Sequence, residues 1–142
     1  MMILGIAGSV VFFAILTLHI YWLLGGRAGL NLALPPDREG VVREPTTIEY
    51  IVVLLMFLIA ALLPLVSLQV VETPIPGWLN KAMLAFGLTL LAVRGIGGLI
   101  WSLLKPTPRA IFHIWNIRLY SPICVFLMIS YAASLWHVCW IE

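Results

Sequence analysis

The sequence carries very little charge. Asp, Glu, Lys and Arg make up 10% of its 142 residues, against about 25% in a typical soluble domain. The net charge of +2 is spread along the chain, with no basic tract of the kind nucleic acid requires, so nucleic acid is excluded as a partner. Cysteine is scarce too. On one helix Cys124 and Cys139 would stand about 22 Å apart, too far to bridge. With no CxxC and no zinc spacing, neither thiol redox chemistry nor a metal site is expected. Glu49 and Glu72 sit at the ends of apolar stretches, not deep within them. Acid-coupled exchange of the kind run by compact four-helix drug exporters needs a membrane-embedded carboxylate and is therefore disfavoured. No internal repeat, low-complexity stretch or domain linker divides the chain, so residues 1–142 read as a single domain.

Apolar length is what the sequence has in excess. Hydrophobic residues reach 63%, where soluble proteins have about 45–50%. They fall into four runs, at about residues 2–25, 48–71, 79–104 and 121–141, each long enough to cross a bilayer as a helix. The first run lacks a basic leader and exceeds the apolar core of a signal peptide, so it reads as a span. The pattern predicts an all-α membrane protein: one four-transmembrane-helix bundle with up-down-up-down topology and short connections. In the second run, Pro64 withholds the N–H that would bond the Ala60 carbonyl, and that carbonyl must then find a partner inside the protein. The segment from Lys105 to Tyr120 is intermediate in character, and its second half suits an interfacial amphipathic stretch.

Lys and Arg in the loops set orientation. Arg27, Arg38 and Arg43 lie in the first connection and Lys105, Arg109 and Arg118 in the third; only Lys81 lies on the opposite side. This bias predicts cytoplasmic first and third connections and both termini on the non-cytoplasmic side. Trp22, Trp78, Trp101, Trp136 and Trp140 fall near span ends, as aromatic belts do.

A few residues are not explained by lipid. Arg94 sits near the middle of the third run, where an arginine costs roughly 2.5–3.5 kcal/mol on insertion scales. It either anchors an anion or polar ligand, or reaches the interface or free backbone carbonyls. The glycines around it, Gly87, Gly95, Gly97 and Gly98, allow a neighbouring helix to approach closely, or backbone to meet a ligand. His19, three residues before Trp22 on the same helix face, lies at a depth comparable to Arg94 once the third run is threaded antiparallel. It either shares a polar pocket with Arg94 or bonds a nearby backbone carbonyl, Thr17 or Tyr21. A bis-His haem would need two histidines at one depth. His19 and His137 belong to opposite halves, so no cofactor is implied.

The stretch His19-Ile20-Tyr21-Trp22-Leu23-Leu24-Gly25-Gly26-Arg27-Ala28-Gly29-Leu30 followed by Leu34-Pro35, then Arg94-Gly95-Ile96-Gly97, then Phe112 through Pro122, resembles the bacterial membrane proteins of domain-of-unknown-function family 3995. The three matches occur in order and cover most of the chain. The resemblance implies a multi-pass protein of the bacterial cytoplasmic (inner) membrane and leaves function open. It also implies acidic residues where Gly98 and Asn116 stand here, so Arg94 and Arg118 must be balanced in some other way.

The expected function is non-enzymatic: binding a small amphipathic or anionic ligand, or service as an accessory membrane subunit. The expected ligand site has Arg94 and His19 as polar contacts, rimmed by Trp22, Arg118 and Tyr120. The alternative is a membrane-embedded enzyme on a lipid or isoprenoid-like substrate, with His19 as acid or base; no catalytic set is identifiable. Candidate partners are the lipid bilayer, a small amphipathic ligand, and a membrane-protein partner or a second copy in a homo-oligomer.

Overall fold

The computed structural model describes residues 1–34, 43–104 and 111–141; Arg38, Lys105, Arg109 and the Pro35-Pro36 pair lie outside them. Four helices are long and apolar enough to cross a membrane: Met2–Leu23, Thr47–Ser67, Gly77–Leu104 and Phe112–Trp140, the first to fourth spans below. A short helix, Leu30–Ala33, follows the first. The spans pack as an up-down-up-down bundle in which the first lies on the second and fourth, and the third on the fourth. One end of the bundle carries both termini and the tight hairpin between the second and third spans. The other carries the two longer connections. These are the terminal end and the loop end.

Local chemistry sets the helix ends. The first span closes on Gly25, whose φ of 96° suits a residue without Cβ. Gly25 N–H then reaches the Trp22 carbonyl and Gly26 N–H the Tyr21 carbonyl, the paired bonds of a Schellman cap. The second span opens on a capping box. Thr46 accepts from the Glu49 N–H while the Glu49 carboxylate accepts from the Thr46 N–H, so two free donors are satisfied. It stops at Ser67, before the expected boundary at 71. There Gln69 adopts φ 56°, and the N–H groups of Gln69 and Val70 reach the carbonyls of Val66 and Leu65. A non-glycine residue thus forms the left-handed cap, which composition gave no reason to expect.

The fourth helix begins earlier than the apolar run. Its first turns, from Phe112, continue without a break through a π-helical turn at Asn116–Tyr120, so the stretch read as interfacial is continuous with the fourth span. Polar residues hid it. Asn116 is 2% exposed and fully engaged on the third span, so its polarity faces protein.

The two ends are packed differently. In lipid, helices gain little from burying apolar surface and associate through close packing of small residues. Toward the terminal end, Gly5, Gly8 and Ser9 of the first span are buried, Gly8 against Ser130 of the fourth and Gly5 against Ser134 and Leu68. A Cβ on Gly8 would strike the Ser130 hydroxyl and stand 2.6 Å from its Cβ. Beside this seam Phe12, Ala61, Leu63, Leu84, Leu127, Tyr131 and Val138 form the apolar core. Tyr131, 1% exposed, donates its hydroxyl to the Ala60 carbonyl at 2.7 Å. That carbonyl is the one Pro64 leaves without its helical donor, so the fourth span supplies what the second lacks.

Candidate functional site

Toward the loop end the packing opens into a cavity of about 510 Å3, lined by all four spans and by Ala33 of the short helix. Its floor is the top of the core, with Phe12, Leu127 and Tyr131, and its walls include Ile15, Phe57, Leu91 and Ile123. The volume is within the roughly 300–1,000 Å3 typical of small-molecule sites. Among spans consecutive in sequence the second and third touch least. Their buried residues lie near their hairpin: Ala61, Leu63, Pro64 and Ser67 on one, Asn80 and Leu84 on the other. Farther along, Met56 and Leu90 line the cavity while 57% and 45% exposed, so it opens between these two helices.

Four of the five site residues expected from sequence line this cavity: His19, Trp22, Arg94 and Tyr120. Arg118 does not; it is exposed on the fourth span, outside the lining. It sits inside the π-helical turn Asn116–Tyr120, where the extra residue per turn breaks the 3.6-residue count used to infer helix faces. Of the five belt tryptophans, Trp78, Trp101, Trp136 and Trp140 are exposed, whereas Trp22 is 8% exposed. Its indole N–H donates to the Ala28 carbonyl at 2.9 Å, which ties the chain leaving the first span across the cavity's loop end.

His19 follows the backbone-carbonyl reading and also faces the cavity that Arg94 lines. Its Nδ1 donates to the Ile15 carbonyl at 2.8 Å, and its ring lines the cavity with centroids 4.8 Å from those of Trp22 and of Phe57. A smaller cavity of about 150 Å3, reaching Glu49 and Tyr50, shares His19, Trp22 and Ala33 with the main one, so these three form a wall between the two.

Arg94 lies in a second π-helical turn, Val93–Gly97, and reaches across to the fourth span. Its Nη1 donates to Asn116 Oδ1 at 2.9 Å. Asn116 Nδ2 in turn donates to the Gly98 carbonyl at 2.8 Å and to Ser102 Oγ at 2.7 Å, and His113 Nδ1 lies 3.3 Å from that hydroxyl. The two π-helical turns thus face each other and are joined by their side chains. Such turns occur disproportionately at functional sites. The partner of Arg94 is a neutral amide, which positions the guanidinium without cancelling its charge. The ion pairs among the described residues, Arg27–Glu44 and Arg43–Glu49, lie elsewhere. Arg94 remains exposed, at the open side of the cavity.

The positions where the resemblance implies acids, Gly98 and Asn116, both abut this arginine; a Cβ on Gly98 would stand 2.6 Å from Nη1. The glycines divide by role. Gly87 meets the Tyr131 ring and Gly95 meets Cys124 and the backbone of Val125, both as close helix contacts, whereas Gly97 faces open space. Sequence reasoning did not assign Asn116, Ser102 or His113 to one cluster. Their shared signal is polarity within long apolar helices near one bundle end.

These features define a class: a multi-pass helical membrane protein whose bundle is packed at one end and opens at the other into a cavity with an arginine at its open side. The family model for a protein of unknown function, DUF3995, matches residues 10–131, and the chain belongs to that family. No curated protein and no solved structure matches it.

Proposed function

We propose that this protein binds a small amphipathic anion in the cavity at the loop end of its bundle. The observation that carries the reading is the composition of that cavity: an apolar lining drawn from all four spans, with Arg94 as the charged member among the described lining residues. A guanidinium stays protonated in a protein, so its charge persists within the bilayer. Its neutral tether to Asn116 leaves that charge available to an anion. The opening between the second and third spans suits entry from lipid. We place both termini outside a bacterial cytoplasmic membrane, on the strength of the basic residues in the first and third connections.

Two other readings are less supported. As an acid or base, His19 would want a proton partner, yet its Nδ1 is committed to a backbone carbonyl and no described carboxylate lines the main cavity. As a purely structural subunit, the protein would present its small residues outward. Gly87, Gly95 and Gly98 instead meet side chains of their own bundle.

Palmitate titrated into the detergent-purified protein, followed by Trp fluorescence, tests the reading. Arg94→Ala should weaken binding by about 10–100-fold, as expected for losing a hydrogen-bonded charge partner. It should cost about 1–3 kcal/mol of stability, because the buried Asn116 Oδ1 loses its donor, but no more, since no counter-charge is stranded. Equal palmitate affinity in wild type and Arg94→Ala would defeat the proposal.

A further inference from the structure

We infer that this protein passes its ligand between lipid and water: Trp22, His19 and Ala33 form a gate through which the cavity opens to the aqueous loop end. The ligand class, an amphipathic anion, rests on the reading above; the gate rests on geometry. The cavity opens toward lipid between the second and third spans, where Met56 and Leu90 are exposed. The smaller cavity has different surroundings. It reaches Glu49 and Tyr50, at the start of the second span. Glu49 is half-exposed and paired with Arg43, and the cost of charge in hydrocarbon puts such a pair at the water side. The residues common to both linings are His19, Trp22 and Ala33. A lipid-side cavity and a water-side cavity are thus separated by three side chains.

The wall is held lightly. Ala33 belongs to the short helix Leu30–Ala33, part of a strap that leaves the first span at Gly25 and turns again at Gly29. Both glycines have positive φ, 96° and 76°, and nothing stands within 4 Å of either Cβ position. Between them, the Ala28 carbonyl accepts the Trp22 indole N–H. Arg27 of the strap pairs with Glu44, but both side chains are well exposed, and such a pair holds little. The far end of the strap rests on the first turn of the fourth helix. The latch is therefore one neutral hydrogen bond, made by the ring that fills the wall. Losing it shifts an open–closed balance by about tenfold. A packed partition would bury its glycines, as the seam at the terminal end buries Gly5 and Gly8.

Cys124 lines the main cavity and not the smaller one, so its thiol reports passage through the gate. The exposed Cys139 is first removed as Cys139→Ser. In lipid nanodiscs the bilayer covers the opening between the second and third spans, and water-soluble sulfonatoethyl methanethiosulfonate must arrive from the loop end. Mass spectrometry follows the adduct on Cys124. Wild type should label slowly. Trp22→Phe, which keeps a ring and loses the latch, should label about tenfold faster, and Trp22→Ala faster still. Gly5→Ala, which strains the far seam against Leu68 and Ser134, should label at the wild-type rate. Equal rates in wild type and both Trp22 variants overturn the gate. So does equal acceleration by Gly5→Ala, which would report general loosening. If Trp22→Ala does not fold, the comparison of wild type with Trp22→Phe decides alone. Palmitate should slow labelling of Trp22→Phe by filling the cavity beside Cys124. Rates in the expected order without that slowing overturn the anion-binding reading and leave the gate standing.

Discussion

The terminal half and the loop half of this bundle use small residues and polar groups to opposite ends. Near the termini, glycine and serine bring the first and fourth spans into contact, and two hydroxyls close on backbone: Tyr131 on the Ala60 carbonyl, Ser67 on the carbonyls of Leu63 and Pro64. At the loop end the helices part, and side chains bond one another around an arginine that keeps its charge. The contrast teaches that a polar group within a membrane helix is read by its partner. A hydroxyl that ends on a carbonyl completes a helix. A guanidinium that ends on a neutral amide keeps its charge.

The largest effect should come from closing the seam of the packed half. Gly8→Val puts branched carbon where even a Cβ strikes the Ser130 side chain. A loss of about 3 kcal/mol is expected, the upper range for overpacking, seen as a lowered thermal midpoint in detergent. An unchanged midpoint would mean that the first and fourth spans are not in close contact.

A smaller effect isolates the proline. Tyr131→Phe removes the donor to the Ala60 carbonyl and should cost about 1–3 kcal/mol, the penalty for a stranded buried acceptor. In a Pro64→Ala background the restored N–H serves that carbonyl, and the same substitution should cost clearly less. Equal costs in both backgrounds would break the link between the two residues.

The smallest effect belongs to the open half. Gly97→Ala meets nothing within 4 Å and should be neutral or stabilising by up to about 1 kcal/mol, the helix preference of alanine over glycine. Gly95→Ala, whose Cβ would stand 3.1 Å from the Val125 backbone nitrogen, should be the less stable of the two. A reversed order in thermal unfolding would contradict the packing described for the π-helical turn.

The number and sequence of the spans were legible because bilayer thickness fixes the length of an apolar run. Bringing His19, Trp22, Arg94 and Tyr120 to one level needed only depth along antiparallel helices. Faces were harder. Helices that are apolar all round have no polar side from which to read their rotation, so Phe57, Cys124 and Tyr131 could not be assigned to the cavity. The π-helical turns compound this, because each adds a residue that no composition rule announces, and Arg118 was misplaced inside one of them. The partnership of Tyr131 with Ala60 spans 71 positions. Pro64 announced the vacancy, but nothing local named the residue that fills it.

Tyr131 has one more role. Its ring belongs to the buried core, its edge forms the floor of the cavity, and its hydroxyl braces the second span one turn before the proline. A molecule resting on that floor therefore leans on a strut, and the load passes through a single phenol to the backbone of the neighbouring helix.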